Sequence, residues 1–347
     1  MARRGQDHRL IRWLWTSRRL DARLSRLALL PAAGLYGLLT QARAAAYRQG
    51  WLRTMPLPLP AVAIGNLTVG GSGKTPIASW VAQHFLERGV TPGILLRSYR
   101  GGDEVWLHQE THPGIPVIAD PDRVAGAERA LAAGAQLLVL DDAYQRLDVG
   151  RDLNVVVVSA ETSRAVRWPL PAGPWREGVS ALRRADALIV TRRRADRETG
   201  LGLLDELRPR VRGPVALVHL AVPHYRGMLS GKLIPASDLR DRRVVAASGI
   251  GDPEAFISQT KATGAAVQAA TWRDHHEYRD EDVAWLAKAA RQSDYLVITA
   301  KDAVKLKGRW PASVPEPLVA VLDLVWEDGH NDIVQALDAV GASLGRW

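Results

Sequence analysis

Between residues 61 and 88 the chain reads AVAIGNLTVGGSGKTPIASWVAQHFLER. An apolar run gives way to Gly70, Gly71, Ser72 and Gly73, and then to Lys74 and Thr75. Those residue types at that spacing do phosphate chemistry. Glycines let backbone N–H groups close around phosphate oxygens where a side chain would collide. Lys74 supplies a cation for the β- and γ-phosphates of a nucleotide, and Thr75 a hydroxyl for Mg²⁺. The amphipathic run that opens at Thr75 predicts a helix whose positive dipole end faces the same anion, with Pro76 suited to its first turn. The strict loop pattern wants glycine where Thr68 stands. Strand before and helix after are nonetheless where the motif needs them.

A second constellation follows. Leu137–Leu140 is a four-residue apolar run that ends in Asp141 and Asp142. Carboxylates at a strand's C-terminal end, beside a phosphate loop, hold Mg²⁺ in nucleotide enzymes. Two adjacent aspartates there are costly unless a cation is present, so the pair reads as a metal site.

The elements that must position these groups are legible as periodicity. Continuous apolar runs at Ile94–Leu96, Val117–Ala119, Asn154–Val158 and Ala187–Val190 predict further strands of a parallel sheet covered on both faces. A helix is expected over Asp122–Ala133, and the proline-rich Pro169–Gly178 is expected as an ordered loop. Beyond Val215–Val222, strands at Val244–Ser248, Leu296–Thr299 and Leu318–Leu322 alternate with helices at Asp252–Thr263 and Asp280–Arg291. The fold class expected is α/β, a P-loop NTPase-like α/β/α sandwich over residues 54–218 with a second, smaller α/β domain over 219–347. Residues 1–53 form an N-terminal amphipathic helical segment. The arginine run Arg192–Arg194 reads as a solvated loop.

There are 347 residues and no cysteine, which excludes disulfides, thiolate metal sites and a cysteine nucleophile. The chain carries twelve Trp against two Phe and a net charge of +9. Residues 1–53 hold eleven arginines and two acids, Asp7 and Asp21, so the whole net charge resides there and the remaining body is neutral. That distribution speaks against nucleic-acid binding, which would place basic patches and aromatic platforms on the folded body. Leu20, Leu24 and Leu27 recur at helical spacing beside Arg19, Arg23 and Arg26. The apolar stretch Leu27–Thr40 is broken by Pro31 and two glycines and falls short of the roughly 20 residues a membrane span requires. A basic, tryptophan-bearing amphipathic segment of this kind suits an anionic membrane surface.

The chain resembles the tetraacyldisaccharide 4′-kinase family of Gram-negative bacteria. The resemblance runs through GNLTVGGSGKT (65–75), RSYRG (97–101), Gly102-Asp103-Glu104, DDAYQR (141–146), Arg151-Asp152, LPAGPWRE (170–177), GIGDPEAF (249–256), Asp274-His275-His276 and TAKDAV (299–304). The family has Thr or Ser where Thr68 stands. The resemblance implies a monomeric peripheral enzyme at the cytoplasmic face of the inner membrane. It would use ATP and Mg²⁺ to phosphorylate the 4′-hydroxyl of a lipid disaccharide 1-phosphate. It implies that Thr68, Gly70, Gly71, Ser72, Gly73, Lys74 and Thr75 cradle the nucleotide. It further implies that Thr75, Asp141 and Asp142 hold the metal with Glu177 nearby, and that Asp103 and His275 form a catalytic dyad. A carboxylate in hydrogen-bond reach of a sugar hydroxyl is a fitting proton acceptor. By itself Asp274-His275-His276 reads as a surface turn, and Asp122 is a weaker competitor for the base. The chain departs from the family at Ser98 and Ala143, where the family has Gly, at Arg146 for its His, and at Ala300 for its Glu. Arg146 could still present a fixed positive charge to phosphate.

The alternative is a P-loop ATPase or GTPase of the metal-chaperone type. Its variant loop needs an early lysine where Val69 stands, and in Thr299–Asp302 the lysine comes one place late for guanine recognition.

Overall fold

The computed structural model describes residues 11, 13–97, 103–162, 166–274, 276–342 and 344, with residues 103 and 162 described in backbone only. The chain forms two compact units. Residues 1–98, 114–218 and 326–347 make the first, and residues 99–113 and 219–325 the second.

The first unit is built on parallel strands β1 (Ala61–Asn66), β2 (Pro92–Leu96), β3 (Val117–Ala119), β4 (Leu137–Asp141), β5 (Leu153–Ser159) and β6 (Ala187–Arg192), in the order β3-β2-β4-β1-β5-β6. Every residue of β1, β2 and β4 is buried. Strands covered on both faces cannot alternate polar and apolar residues, which is why they read as continuous apolar runs. The predicted phosphate-loop helix is α2 (Lys74–Glu87). The predicted helix at 122–133 is α4 (Arg123–Ala132), and Asp122 is its N-cap, accepting from the Val124 and Ala125 amides. Both bonds fall on Oδ1, and the helix start by itself accounts for an acid at this position.

The N-terminal segment forms one helix, α1 (Leu20–Arg48), which continues through Pro31. Its inward stripe is Ala22, Arg26, Ala33 and Gly37, and its outward stripe Leu20, Leu24, Leu27, Leu35, Leu38 and Leu39, each more than half exposed. Small residues let the helix approach the loop at 168–177 closely. A Cβ on Gly37 would lie 3.5 Å from the Pro169 ring, and Trp15, just upstream, donates its Nε1–H to the Pro171 carbonyl at 3.0 Å. Among the described residues no helix is long and apolar enough to cross a membrane.

The last helix, α9 (His330–Ala342), packs behind α2. Asp338 lies 2.9 Å from Nε2 of the buried His84 and 3.0 Å from Nε of Arg88, while Trp80 and Trp326 pack their rings 4.6 Å apart.

In the second unit β9 (Arg243–Ser248), β10 (Ala266–Thr271), β11 (Tyr295–Ile298) and β12 (Leu318–Asp328) run parallel in the order β10-β9-β11-β12. The chain enters it along β7 (Val215–Gly227), whose end pairs antiparallel with β8 (Leu233–Pro235). The helices are α3 (Asp103–Thr111), α6 (Pro253–Ala262), α7 (Asp280–Gln292) and α8 (Ala300–Leu306). Although α3 lies between β2 and β3 in sequence, it packs on α8. Glu104 accepts from Lys301 at 2.9 Å and Glu110 from Lys307 at 2.8 Å.

Two of the sequence strings of this unit, GIGDPEAF and TAKDAV, meet at one carboxylate. Asp302, fully buried, accepts from the Gly249 amide (3.0 Å) and the Tyr278 hydroxyl (2.9 Å) on one oxygen and from the Thr299 hydroxyl (2.6 Å) on the other. Burial raises its pKa above the usual carboxylate value while these donors oppose the shift. His276 stacks on Trp272 and binds Asp282 at 2.9 Å, so this residue of the string is anchored to its own unit.

Candidate active site

The loop between β1 and α2 is shaped from below by Asn66. Its buried side-chain amide donates to the Thr68 carbonyl at 2.7 Å and to the Ser72 hydroxyl at 2.9 Å. Thr191, at the end of β6, donates to the Ser72 carbonyl at 2.7 Å. The loop is thus tied at both sides while Gly70 and Gly71 stay exposed. Gly73 has a φ of 87° and is the N-cap of α2, a left-handed conformation that a side chain would strain. No side chain caps that helix start and no acid stands in its first turn. An uncapped N-terminus with exposed glycines before it is a seat for an anion.

The neighbouring loop is laced to the first one. The Val69 amide donates to the Pro174 carbonyl at 2.8 Å and the Arg176 amide to the Leu67 carbonyl at 2.7 Å, with Thr68 and Trp175 paired between them. This places Arg176 and Glu177 at the site. At the end of β4, Asp141 is buried and Asp142 turns to a φ of 54°, which aspartate tolerates better than bulkier residues. The turn passes so close to β1 that a Cβ on Gly65 would sit 2.5 Å from that of Tyr144.

Asp142 is where the charges meet. Its carboxylate accepts from Arg176 at 3.0 Å and stands 3.5 Å from the Lys74 ammonium. Glu177 is buried and accepts from Arg184 at 2.6 Å, whose guanidinium lies over the Tyr144 ring. On the other side the buried Arg123 donates to the Asp141 carbonyl. Burial pushes its pKa down to about 10, helped by Arg146 and opposed by Asp141 and Asp142.

Of the residues singled out in the sequence, the structure brings together the loop 68–75, Asp142 and, through Arg176, the chain next to Glu177. Among the described residues no three His, Asp or Glu side chains gather as a metal cage. Mg²⁺ does not need one, since it takes one or two carboxylates and completes its shell with waters and substrate phosphates. A hydroxyl at Thr75 and a carboxylate pair at a strand end are a hard-oxygen set that fits it. The Asp103 side chain and His275 lie outside the described residues, although α3, which Asp103 opens, belongs to the second unit.

Several contributors escaped the sequence reading. Arg176 holds Asp142, and Asn66 shapes the loop. Arg192 and Arg193 are not simply solvated: Arg192 pairs with Glu327 at 2.7 Å, and Arg193 donates to the Gly71 carbonyl at 3.2 Å. The amides of Arg193 and Arg194 are held by Glu161 at 2.8 Å each. Burial raises the Glu161 pKa, and the Ser159 hydroxyl and these amides more than reverse it, leaving the carboxyl below its usual range. Arg146 is engaged by Asp148 at 2.7 Å and 2.9 Å rather than presented to a ligand.

The model of the family "Tetraacyldisaccharide-1-P 4'-kinase" matches residues 25–102 and 100–340. The tetraacyldisaccharide 4′-kinase of Nitrosococcus oceani is 35% identical over 301 residues, covering 81% of this chain and 82% of its own length. That of Pelobacter propionicus is 33% identical over 343 residues, covering 90% and 92%. Among solved structures, LpxK from Aquifex aeolicus in complex with ATP matches with a TM-score of 0.71 and 26% identity, over 91% of this chain and 99% of that one. These matches span both units and leave the metal-chaperone alternative without support. The chain belongs to the tetraacyldisaccharide-1-P 4′-kinase family.

Proposed function

We propose that this chain transfers the γ-phosphoryl group of ATP to the 4′-hydroxyl of a tetraacyldisaccharide 1-phosphate, a step of lipid A assembly. The observation that carries the reading is the uncapped start of α2 behind Gly70–Gly73, with Lys74 poised 3.5 Å from Asp142. The amides of the loop bind the phosphate chain, and Lys74 moves from Asp142 to the phosphate oxygens as they arrive. Thr75, Asp141 and Asp142 hold Mg²⁺, with Glu177 as the acidic neighbour beyond Arg176. Bound Mg²⁺ neutralises charge on the β- and γ-phosphates. Arg176 keeps Asp142 oriented when Lys74 leaves it. Asp103, assisted by His275, is assigned the proton of the acceptor hydroxyl. Incubation with labelled ATP, Mg²⁺ and the disaccharide lipid should yield a 4′-phosphorylated product. Label released only as inorganic phosphate would overturn the transfer.

Residues 1–53 are assigned to peripheral attachment at the anionic cytoplasmic face of the inner membrane. The support is the outward leucine stripe of α1 together with all of the chain's net charge. Each arginine near an anionic surface contributes about 1 kcal/mol, diminished by salt. A chain lacking residues 1–35 should sediment far less with phosphatidylglycerol vesicles than the full chain, and equal sedimentation would place the attachment elsewhere.

A further inference from the structure

The first unit carries a second concentration of arginine that phosphoryl transfer does not use. An open cavity of about 340 Å³ lies between the 3₁₀ turns Val179–Arg184 and Arg208–Arg210. Arg183, Arg210, Arg212 and the Ser180 hydroxyl supply its polar lining, and Val179 and Val211 contribute apolar wall. No acid lines it.

The arginines on either side show what is unusual about these three. Arg184 is taken by Glu177 at 2.6 Å, and Arg208 stands 3.9 Å from Asp328. Arg183, Arg210 and Arg212 have no hydrogen bond or ion pair among the described residues. Glu206, the acid within reach of Arg210's field, is already held by both nitrogens of the Arg167 fork. Nor is this background basicity, because residues 54–347 carry no net charge. Three guanidiniums around one cavity concentrate positive potential there, and their forked donors match phosphate oxygens two at a time.

The position separates this cavity from the nucleotide loop. Its two turns run into the N-terminal ends of β6 and β7, whereas the loop of Gly70–Gly73 follows the C-terminal end of β1. In a parallel sheet those are opposite edges.

We propose that this cavity is a second anion site that takes a phosphomonoester or diphosphate group. The two possible sources are a soluble phosphate compound and a phosphomonoester lipid headgroup, and they separate in one comparison. The full chain is saturated with Mg²⁺ and a non-hydrolysable ATP analogue, so that the nucleotide loop is filled. It is then titrated with inorganic pyrophosphate by calorimetry and, separately, sedimented with phosphatidic acid vesicles and with phosphatidylglycerol vesicles, which are anionic but lack a phosphomonoester, so that attachment through residues 1–53 is common to both. The same is done with the Arg183→Ala/Arg212→Ala double variant, whose kinase activity and thermal midpoint should match the parent because both side chains are exposed. Loss of two charge-assisted donors should weaken binding ~10-fold or more. Pyrophosphate affinity lost in the variant establishes a soluble phosphate ligand. A preference for phosphatidic acid over phosphatidylglycerol that the variant loses, with no pyrophosphate binding in either protein, establishes a headgroup. Equal behaviour of parent and variant in both arms overturns the site, and does so whatever the kinase assay returns.

Discussion

Two carboxylates stand after the C-terminal ends of buried parallel strands, one in each unit, and they are handled in opposite ways. Asp142, after β4, is held by cations: Arg176 at 3.0 Å and Lys74 at 3.5 Å, both partly open to solvent. Asp302, after β11, is sealed from water and held by an amide and two hydroxyls of its own unit. A carboxylate neutralised by a mobile ammonium can exchange that partner for a metal at little cost, because the ammonium has a phosphate to go to. A carboxylate satisfied by fixed neutral donors has nothing to exchange, and its hydrogen bonds knit three loops instead. The first arrangement is poised to change and the second to stay.

The widest separation between the two should come from Lys74→Ala. Removing a preorganised charge from a transferring phosphoryl group costs ~10²–10³-fold in turnover. Lys74 is partly exposed, so chemical denaturation should show little loss of stability. Parent-like turnover in this variant would break the comparison at its active end.

Asp302→Ala should behave the other way round. It strands the Gly249 amide and the Tyr278 hydroxyl in the interior, and unsatisfied buried donors cost about 1–3 kcal/mol each. Denaturant unfolding should report a loss of roughly 3 kcal/mol, with binding of ATP and Mg²⁺ to the first unit retained. Asp302→Asn keeps one acceptor oxygen and should recover part of it. A neutral result for both would mean that Asp302 is no staple.

The smallest effect is expected at Asp338, which lies between the extremes because one of its partners can titrate. Burial lowers the His84 pKa below its ordinary 6.5, against the opposing hydrogen bond to Asp338. The folded state therefore favours neutral imidazole. Its contribution is complete above pH 6.5 and is lost as pH falls through the lower folded value. Between pH 8 and pH 5 the thermal midpoint of the parent should fall more than that of His84→Gln. Parallel curves would show that the α2–α9 contact does not depend on the His84 proton.

Much of this was readable in advance because the groups concerned advertise themselves locally. Buried parallel strands are unbroken apolar runs, and a phosphate loop needs its glycines and Lys-Thr in one short string. What escaped was decided across sequence distance. Nothing near Arg192 announces Glu327, and nothing near Arg176 announces Asp142. The N-terminal apolar stretch looked interrupted at Pro31 and its glycines. In fact a single helix runs through them, because the small residues on its inner stripe are what let it pack, as Gly37 does on Pro169. Asp122 has a local duty that its place before the helix at 123–132 announces: its carboxylate caps that helix.

The placement of α9 bears on how the protein is made. Its partners His84, on α2, and Arg88, just past its end, leave the ribosome some 250 residues before Asp338 does. Residues 326–347 belong to the first unit, whereas residues 219–325 form the bulk of the second. Domains usually fold in the order in which they are synthesised. Here the nucleotide-binding unit waits for its own rear wall until residues 326–347 have been made, with an intervening unit already emerged. A nascent chain halted before residue 326 would leave the back of α2 bare, with Trp80 and His84 lacking that cover, so a truncated product should aggregate rather than survive as a partial kinase.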